Sequence, residues 1–131
     1  MQEPRPVLVV DDDIASLSGL LGLLREEGYR ATGAATRETA LRLLDVFRFD
    51  LVIVDLRLGR ASGFDLVARA RAGQSELSAI VIAANEDATA EREARLLGAD
   101  YLMKPIAPST LLALVRLRID FQRSRAENRL H

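Results

Sequence analysis

Three short apolar stretches rich in β-branched residues each run into charged groups: Val7-Leu8-Val9-Val10 into Asp11-Asp12-Asp13, Leu51-Val52-Ile53-Val54 into Asp55, and Ala99-Asp100-Tyr101-Leu102-Met103 into Lys104-Pro105. Between them lie longer stretches with apolar residues at helical spacing, and this alternation is the signature of βαβ units and a parallel sheet. We count five such pairs. The first strand, Val7 to Val10, precedes a helix marked by Ile14, Leu17, Leu20, Leu21 and Leu24, for which Gly28 offers a stop. The second strand, roughly Tyr29 to Ala34, is rich in small residues, as suits an edge. Thr36 then caps a helix whose apolar face is Ala40, Leu43, Leu44 and Phe47.

The third strand is placed at Asp50 to Val54. After Asp55, residues 56–63 read as a loop, and Phe64, Leu66, Val67 and Ala70 mark a third helix ending near Gly73. Ala79 to Ala84 is the fourth strand. Asn85 or Asp87 can cap a fourth helix that ends at Gly98, Asp100 to Met103 is a short fifth strand, and a last helix starts near Ser109 and extends past Phe121.

At 131 residues and 49% hydrophobic composition the chain fits one α/β domain with its own core. A net charge of −1 with scattered arginines argues against nucleic-acid binding by this segment. The absence of cysteine excludes a disulfide framework and thiolate metal sites. No signal peptide or membrane-spanning run is visible, so the reading is cytoplasmic.

Composition sharpens the chemistry at one point. Lys104 is the only lysine among 18 basic residues, so a compact ammonium stands where this chain otherwise uses the planar arginine fork. Carboxylates gathered at the carboxyl ends of parallel strands are costly unless a cation joins them, and ligands of open α/β sheets bind at those ends. A divalent metal and a phosphoryl group follow as the first expectation. Taken singly, the same residues have simpler uses. The acidic triplet can cap the first helix, Asp55 can be a turn residue, and Lys104 can extend along the surface.

Four motifs in order, Val9-Val10-Asp11-Asp12, Asp50 through Asp55, Ser62-Gly63 and Gly98 through Pro105, make the chain resemble a receiver domain of a two-component response regulator over about residues 6–120. The resemblance implies a flavodoxin-like, doubly wound sheet of order 2-1-3-4-5 with five helices. It also implies Asp55 as phosphoacceptor, with Mg²⁺ held directly by Asp12, Asp55 and the backbone carbonyl of Arg57 and through a water by Asp11, and Lys104 on the phosphoryl group. The donor would be a sensor histidine kinase or a phosphotransfer protein, and the chain would catalyse only its own phosphorylation and dephosphorylation. A phosphorylation-independent interaction module is the competing reading.

Two positions depart from the family pattern. Ala83 stands where a serine or threonine usually ends the fourth strand, which leaves the aromatic switch position Tyr101 without its usual trigger. Gly59 replaces a common proline, and its backbone freedom predicts a more mobile loop around Arg57. On the last helix Leu111, Leu112 and Val115 have core spacing, leaving Leu114, Leu117 and Phe121 as a candidate partner stripe. Homodimerisation through the fourth helix, fifth strand and fifth helix, which the resemblance implies, would cover it, and so would packing against a downstream domain. The domain is read as residues 1–122, with 123–131 as a helical extension or the start of a linker.

Overall fold

The computed structural model describes residues 6–130. The chain alternates strand and helix: β1 (Pro6–Val10), α1 (Ile14–Glu26), β2 (Arg30–Ala34), α2 (Arg37–Val46), β3 (Leu51–Asp55), β4 (Arg57–Leu58), β5 (Ala61–Ser62), α3 (Gly63–Gly73), β6 (Ser78–Ala83), α4 (Ala88–Leu96), β7 (Asp100–Met103) and α5 (Pro108–Leu130). Five strands form one parallel sheet in the order β2-β1-β3-β6-β7, and five helices cover it, as the resemblance implies.

The strands are apolar without interruption because both faces are covered. One set of side chains, including Leu8, Val10, Val52, Val54 and Val81, packs with Leu66, Val67 and Ala94 from α3 and α4. The alternate set, including Val7, Val9, Leu51, Ile53, Ile80 and Ile82, packs with Leu17 and Leu24 of α1 and Leu111, Val115 and Ile119 of α5. Each fully buried aliphatic side chain of this kind contributes roughly 1.5–3 kcal/mol. The small residues of β2 have a cause too. A Cβ on Gly33 would lie 2.8 Å from Leu21 Cδ1, so α1 rests directly on the edge strand.

Local signals set the boundaries. Asp13, Thr36, Ser62 and Asp87 cap α1 to α4, each accepting a backbone N–H of the first turn. Gly28 and Gly98 follow α1 and α4 with φ of +88° and +68°, the left-handed conformation that ends a helix at low cost.

Several expectations need correction. The segment read as a plain loop contains an antiparallel hairpin, with Arg57 opposite Ser62 and Leu58 opposite Ala61. Phe47 does not join the apolar face of α2, because the helix stops at Val46 and the ring is exposed. In α5 the buried stripe is Leu111, Val115 and Ile119, and Leu114 is half-buried against the same core. Of the three residues assigned to an exposed stripe, only Leu117 and Phe121 are exposed, at 58% and 50%. The helix continues without a break through residue 123 to Leu130, and Gln122 and Arg125 tie it to Glu76 in the turn before β6.

Candidate functional site

The parallel order brings the carboxyl ends of β1 and β3 side by side, with β6 and then β7 beyond them. Asp11 and Asp12 follow β1, Asp55 ends β3, and Lys104 follows β7 and reaches back past β6. One carboxylate oxygen from each of Asp11, Asp12 and Asp55 lies within 4.8 Å of the others. The Lys104 ammonium is 3.4 Å from Asp55 Oδ2 and 3.7 Å from Asp11 Oδ2.

Backbone donors orient each acid. Asp11 Oδ1 accepts the Asp13 N–H at 2.9 Å, Asp55 Oδ1 accepts the Arg57 N–H at 3.1 Å, and Asp12 Oδ2 accepts the Gly59 N–H at 3.0 Å. The acidic triplet therefore divides its work. Asp13 caps α1 through the Ala15 and Ser16 N–H groups, while Asp11 and Asp12 face the cluster.

Electrostatics place this cluster in need of positive charge. Asp11 is only 2% exposed, and burial raises its pKa above the ordinary 3.8 despite the Asp13 N–H and the Lys104 ammonium, with Asp55 adding repulsion. Burial alone would lower the Lys104 pKa, but Asp11 and Asp55 outweigh it and hold the ammonium above its usual 10.5. Three carboxylates facing one ammonium leave the cluster acid-rich, and an all-oxygen donor set suits a hard divalent ion.

Ala83 and Tyr101, the expected switch positions, flank this cluster on β6 and β7. Ala83 is buried at the end of β6 and offers only its backbone, whose carbonyl accepts the Lys104 N–H at 2.8 Å. The Tyr101 ring is half-buried, and its hydroxyl donates to the Asn85 carbonyl at 3.3 Å. Burial first, then Asp87, Glu91 and Glu86, raises its pKa above 10.0. The Arg57 side chain is exposed and its backbone belongs to the hairpin. Lys104–Pro105 is a cis peptide.

Three features escaped the reading of residues. A Cβ on Gly63 would lie 2.4 Å from the Asp55 carbonyl oxygen, so α3 starts against the strand that carries Asp55. Arg71 of α3 donates to the carbonyls of Leu77, Leu97 and Gly98, joining the turns before β6 and β7, a role no local pattern signals. Leu96 of α4 and Met103 of β7 are exposed apolar side chains, at 83% and 45%; their apolar character was the available signal.

Residues 7–116 match the family model described as response regulator receiver domain. The chain is 35% identical over 106 residues to the alginate biosynthesis transcriptional regulatory protein AlgB of Pseudomonas aeruginosa, covering 80% of this chain and 24% of that protein. It is 30% identical over 125 residues to the transcriptional regulatory protein BasR of Escherichia coli, covering 95% and 56%. The chain thus spans a quarter to about half the length of these relatives. Among solved structures, a CheY-like receiver domain protein from Methanospirillum hungatei superposes with a TM-score of 0.88 at 28% identity, covering 94% of this chain and 99% of that one. A response regulator protein from Burkholderia pseudomallei, solved with a phosphorylated aspartic acid, a calcium ion and citrate, gives 0.80 at 28% identity, covering 96% and 74%.

Proposed function

The chain belongs to the response regulator receiver domain family of two-component signalling, and from that premise we propose that it is a phosphoacceptor that takes a phosphoryl group from a phosphohistidine onto Asp55. The observation that carries this reading is the meeting of Asp11, Asp12 and Asp55 oxygens within 4.8 Å, with the Lys104 ammonium 3.4 Å from Asp55. An Asp55 oxygen attacks phosphorus in line as the donor's N–P bond breaks, the imidazole leaves with a proton, and an acyl phosphate forms. Lys104 meets charge on the transferring oxygens, and the Arg57 N–H holds the second Asp55 oxygen so that its partner is aimed.

Asp12, Asp55 and the Arg57 carbonyl are the proposed direct ligands of Mg²⁺, with Asp11 acting through a water. When bound, that ion supplies charge neutralisation on the phosphoryl oxygens and a fixed approach geometry. The phosphorylated aspartate and calcium ion of the Burkholderia structure support the assignment by likeness. The donor is a sensor histidine kinase or a phosphotransfer protein, in the cytoplasm.

The proposed receiver unit is residues 1–122, with 123–131 as a helical extension or linker. Leu117 and Phe121, with the half-buried Leu114, form the surface proposed for a homodimer through α4, β7 and α5, elements that also expose Leu96 and Met103. Nucleic acid and membrane are not proposed partners of this domain. Among the described residues no helix is long and apolar enough to cross a membrane.

One observation favours a second reading, a phosphorylation-independent interaction module. Ala83 has no hydroxyl, and Tyr101 is engaged with the Asn85 carbonyl instead. Intact mass after incubation with Mg²⁺ and acetyl phosphate, beside Asp55→Ala, decides between them. One added phosphoryl group that requires Asp55 and Mg²⁺ is expected, and no gain together with no binding of beryllofluoride would select the interaction module. Size-exclusion profiles of the same samples test the dimer.

A further inference from the structure

Residue 59 is the first of the two residues that turn β4 into β5. Its φ is +60°, and no other residue type among those described has a positive φ, so Arg60 beside it does not. A two-residue hairpin turn with positive φ at its first position alone is the type II′ pattern, which takes glycine there. Gly59 therefore builds a defined turn. The more mobile loop expected from its backbone freedom is replaced by a hairpin, and the hairpin is fastened at its tip, where the Gly59 N–H donates to Asp12 Oδ2 at 3.0 Å. A proline at this position could neither donate nor reach that φ.

We propose that Gly59 is a positioning residue whose N–H latches the β4–β5 hairpin onto Asp12 and orients that carboxylate toward a cation shared with Asp11 and Asp55. The latch ties two segments 47 residues apart, the start of α1 and the tip of the hairpin. A carboxylate accepts at both oxygens with about four lone-pair sites, so one N–H leaves capacity for a metal. The bond also ties Asp12 to the hairpin that carries the Arg57 backbone. The inference rests on the reading of the acidic cluster as a cation site.

Two measurements separate the latch from that reading. Amide hydrogen exchange is followed by NMR on metal-free wild type and Asp12→Ala, and Mg²⁺ affinity by calorimetry on wild type, Gly59→Pro and Gly59→Ala. Alanine keeps the donor and its Cβ would meet nothing within 4 Å, but a φ of +60° strains any L side chain, so alanine reads turn strain without loss of the N–H. The Gly59 amide is expected to lose roughly ten- to a hundredfold protection in Asp12→Ala, the span of a hydrogen bond to a charged group. Mg²⁺ affinity is expected to fall about tenfold in Gly59→Pro, and by less in Gly59→Ala, which strains the turn but keeps the N–H. Equal protection with and without the Asp12 carboxylate overturns the latch, and equal affinity in wild type and Gly59→Pro overturns the positioning role. If wild type binds no Mg²⁺ the cation reading fails and takes the positioning role with it, while exchange still reports on the latch. Should Gly59→Pro not fold, exchange decides the latch, and a wild-type Gly59 amide chemical shift unchanged on saturation with Mg²⁺ overturns the positioning role.

Discussion

Replacing Gly63 with alanine sets local propensity against tertiary geometry. Gly63 opens α3, and alanine at a helical position is favoured over glycine by about 0.5–1 kcal/mol. Against that, the new Cβ would sit 2.4 Å from the Asp55 carbonyl oxygen and 3.2 Å from both the Asp55 carbonyl carbon and Leu56 Cα, where ordinary contact begins at 3.4 Å. All three are backbone atoms that no rotamer change can move. The Gly63 N–H also donates to the Leu56 carbonyl at 2.7 Å, which holds the helix start against the end of β3. Relief therefore needs a shift of about 1 Å between α3 and the strand that carries Asp55, and overpacking of this kind costs roughly 1–3 kcal/mol.

The same shift reaches the chemistry, because displacement of about 1 Å at a reacting group costs on the order of a hundredfold in rate. Gly63→Ala is expected to lower the urea-unfolding free energy by about 1–3 kcal/mol. It is also expected to slow Asp55 labelling by acetyl phosphate, followed by intact mass, on the order of a hundredfold. Gly22→Ala is the control. It lies inside α1 with nothing within 4 Å of the added Cβ, and is expected to stabilise by about 0.5–1 kcal/mol with unchanged labelling. A Gly63→Ala protein as stable as wild type and labelled at its rate would refute the reasoning.

Other tests divide the site further. Asp13→Ala should cost about 1 kcal/mol of stability by removing the α1 cap, yet leave Mg²⁺ affinity by calorimetry within about threefold; a loss as large as that of Asp12→Ala would mean the triplet acts as one. Tyr101 has a folded-state pKa raised above 10.0, so its stabilising effect is complete below pH 10 and is lost as pH rises through the raised value. Unfolding curves across that range should be steeper in pH for wild type than for Tyr101→Phe, and tyrosinate absorbance should show Tyr101 ionising late. Ala83→Ser restores a hydroxyl at the end of β6, and at roughly 1.5–3 kcal/mol for a bond to the phosphoryl group it should enlarge the phosphorylation-dependent population shift about ten- to a hundredfold, read by size exclusion.

The main sheet was legible because burial on both faces demands uninterrupted apolar strands, and such a strand can change to acid only at its end. Hence Asp11, Asp55 and Lys104 marked one edge before any coordinates. What the residues did not disclose depends on contacts between distant segments. Two-residue strands are too short for any hydrophobic period, so β4 and β5 passed as loop. Leu114 lies one residue before the buried Val115, and whether it faces solvent depends on how deeply α5 settles into the core it shares with α1. Arg71 holds carbonyls up to 27 residues away, and an arginine on a helix gives no sign of that.

Glycine at 59 was ambiguous for another reason. The same residue serves a loose loop and a tight turn that needs positive φ, and composition does not distinguish them. The structure chooses the turn, and that choice changes how the two departures from the receiver pattern combine. Ala83 removes a side-chain contact on the β6 flank of the site, whereas Gly59 adds a backbone contact on the hairpin flank, where proline would forbid one. The acids stay ordered from the β3 side while the Tyr101 hydroxyl is occupied by the Asn85 carbonyl. On the proposed function, capture of a phosphoryl group and its transmission to α4 and β7 would therefore fall to different flanks. Changes at Gly59 should act first on cation affinity, and changes at Ala83 on the response that follows labelling of Asp55.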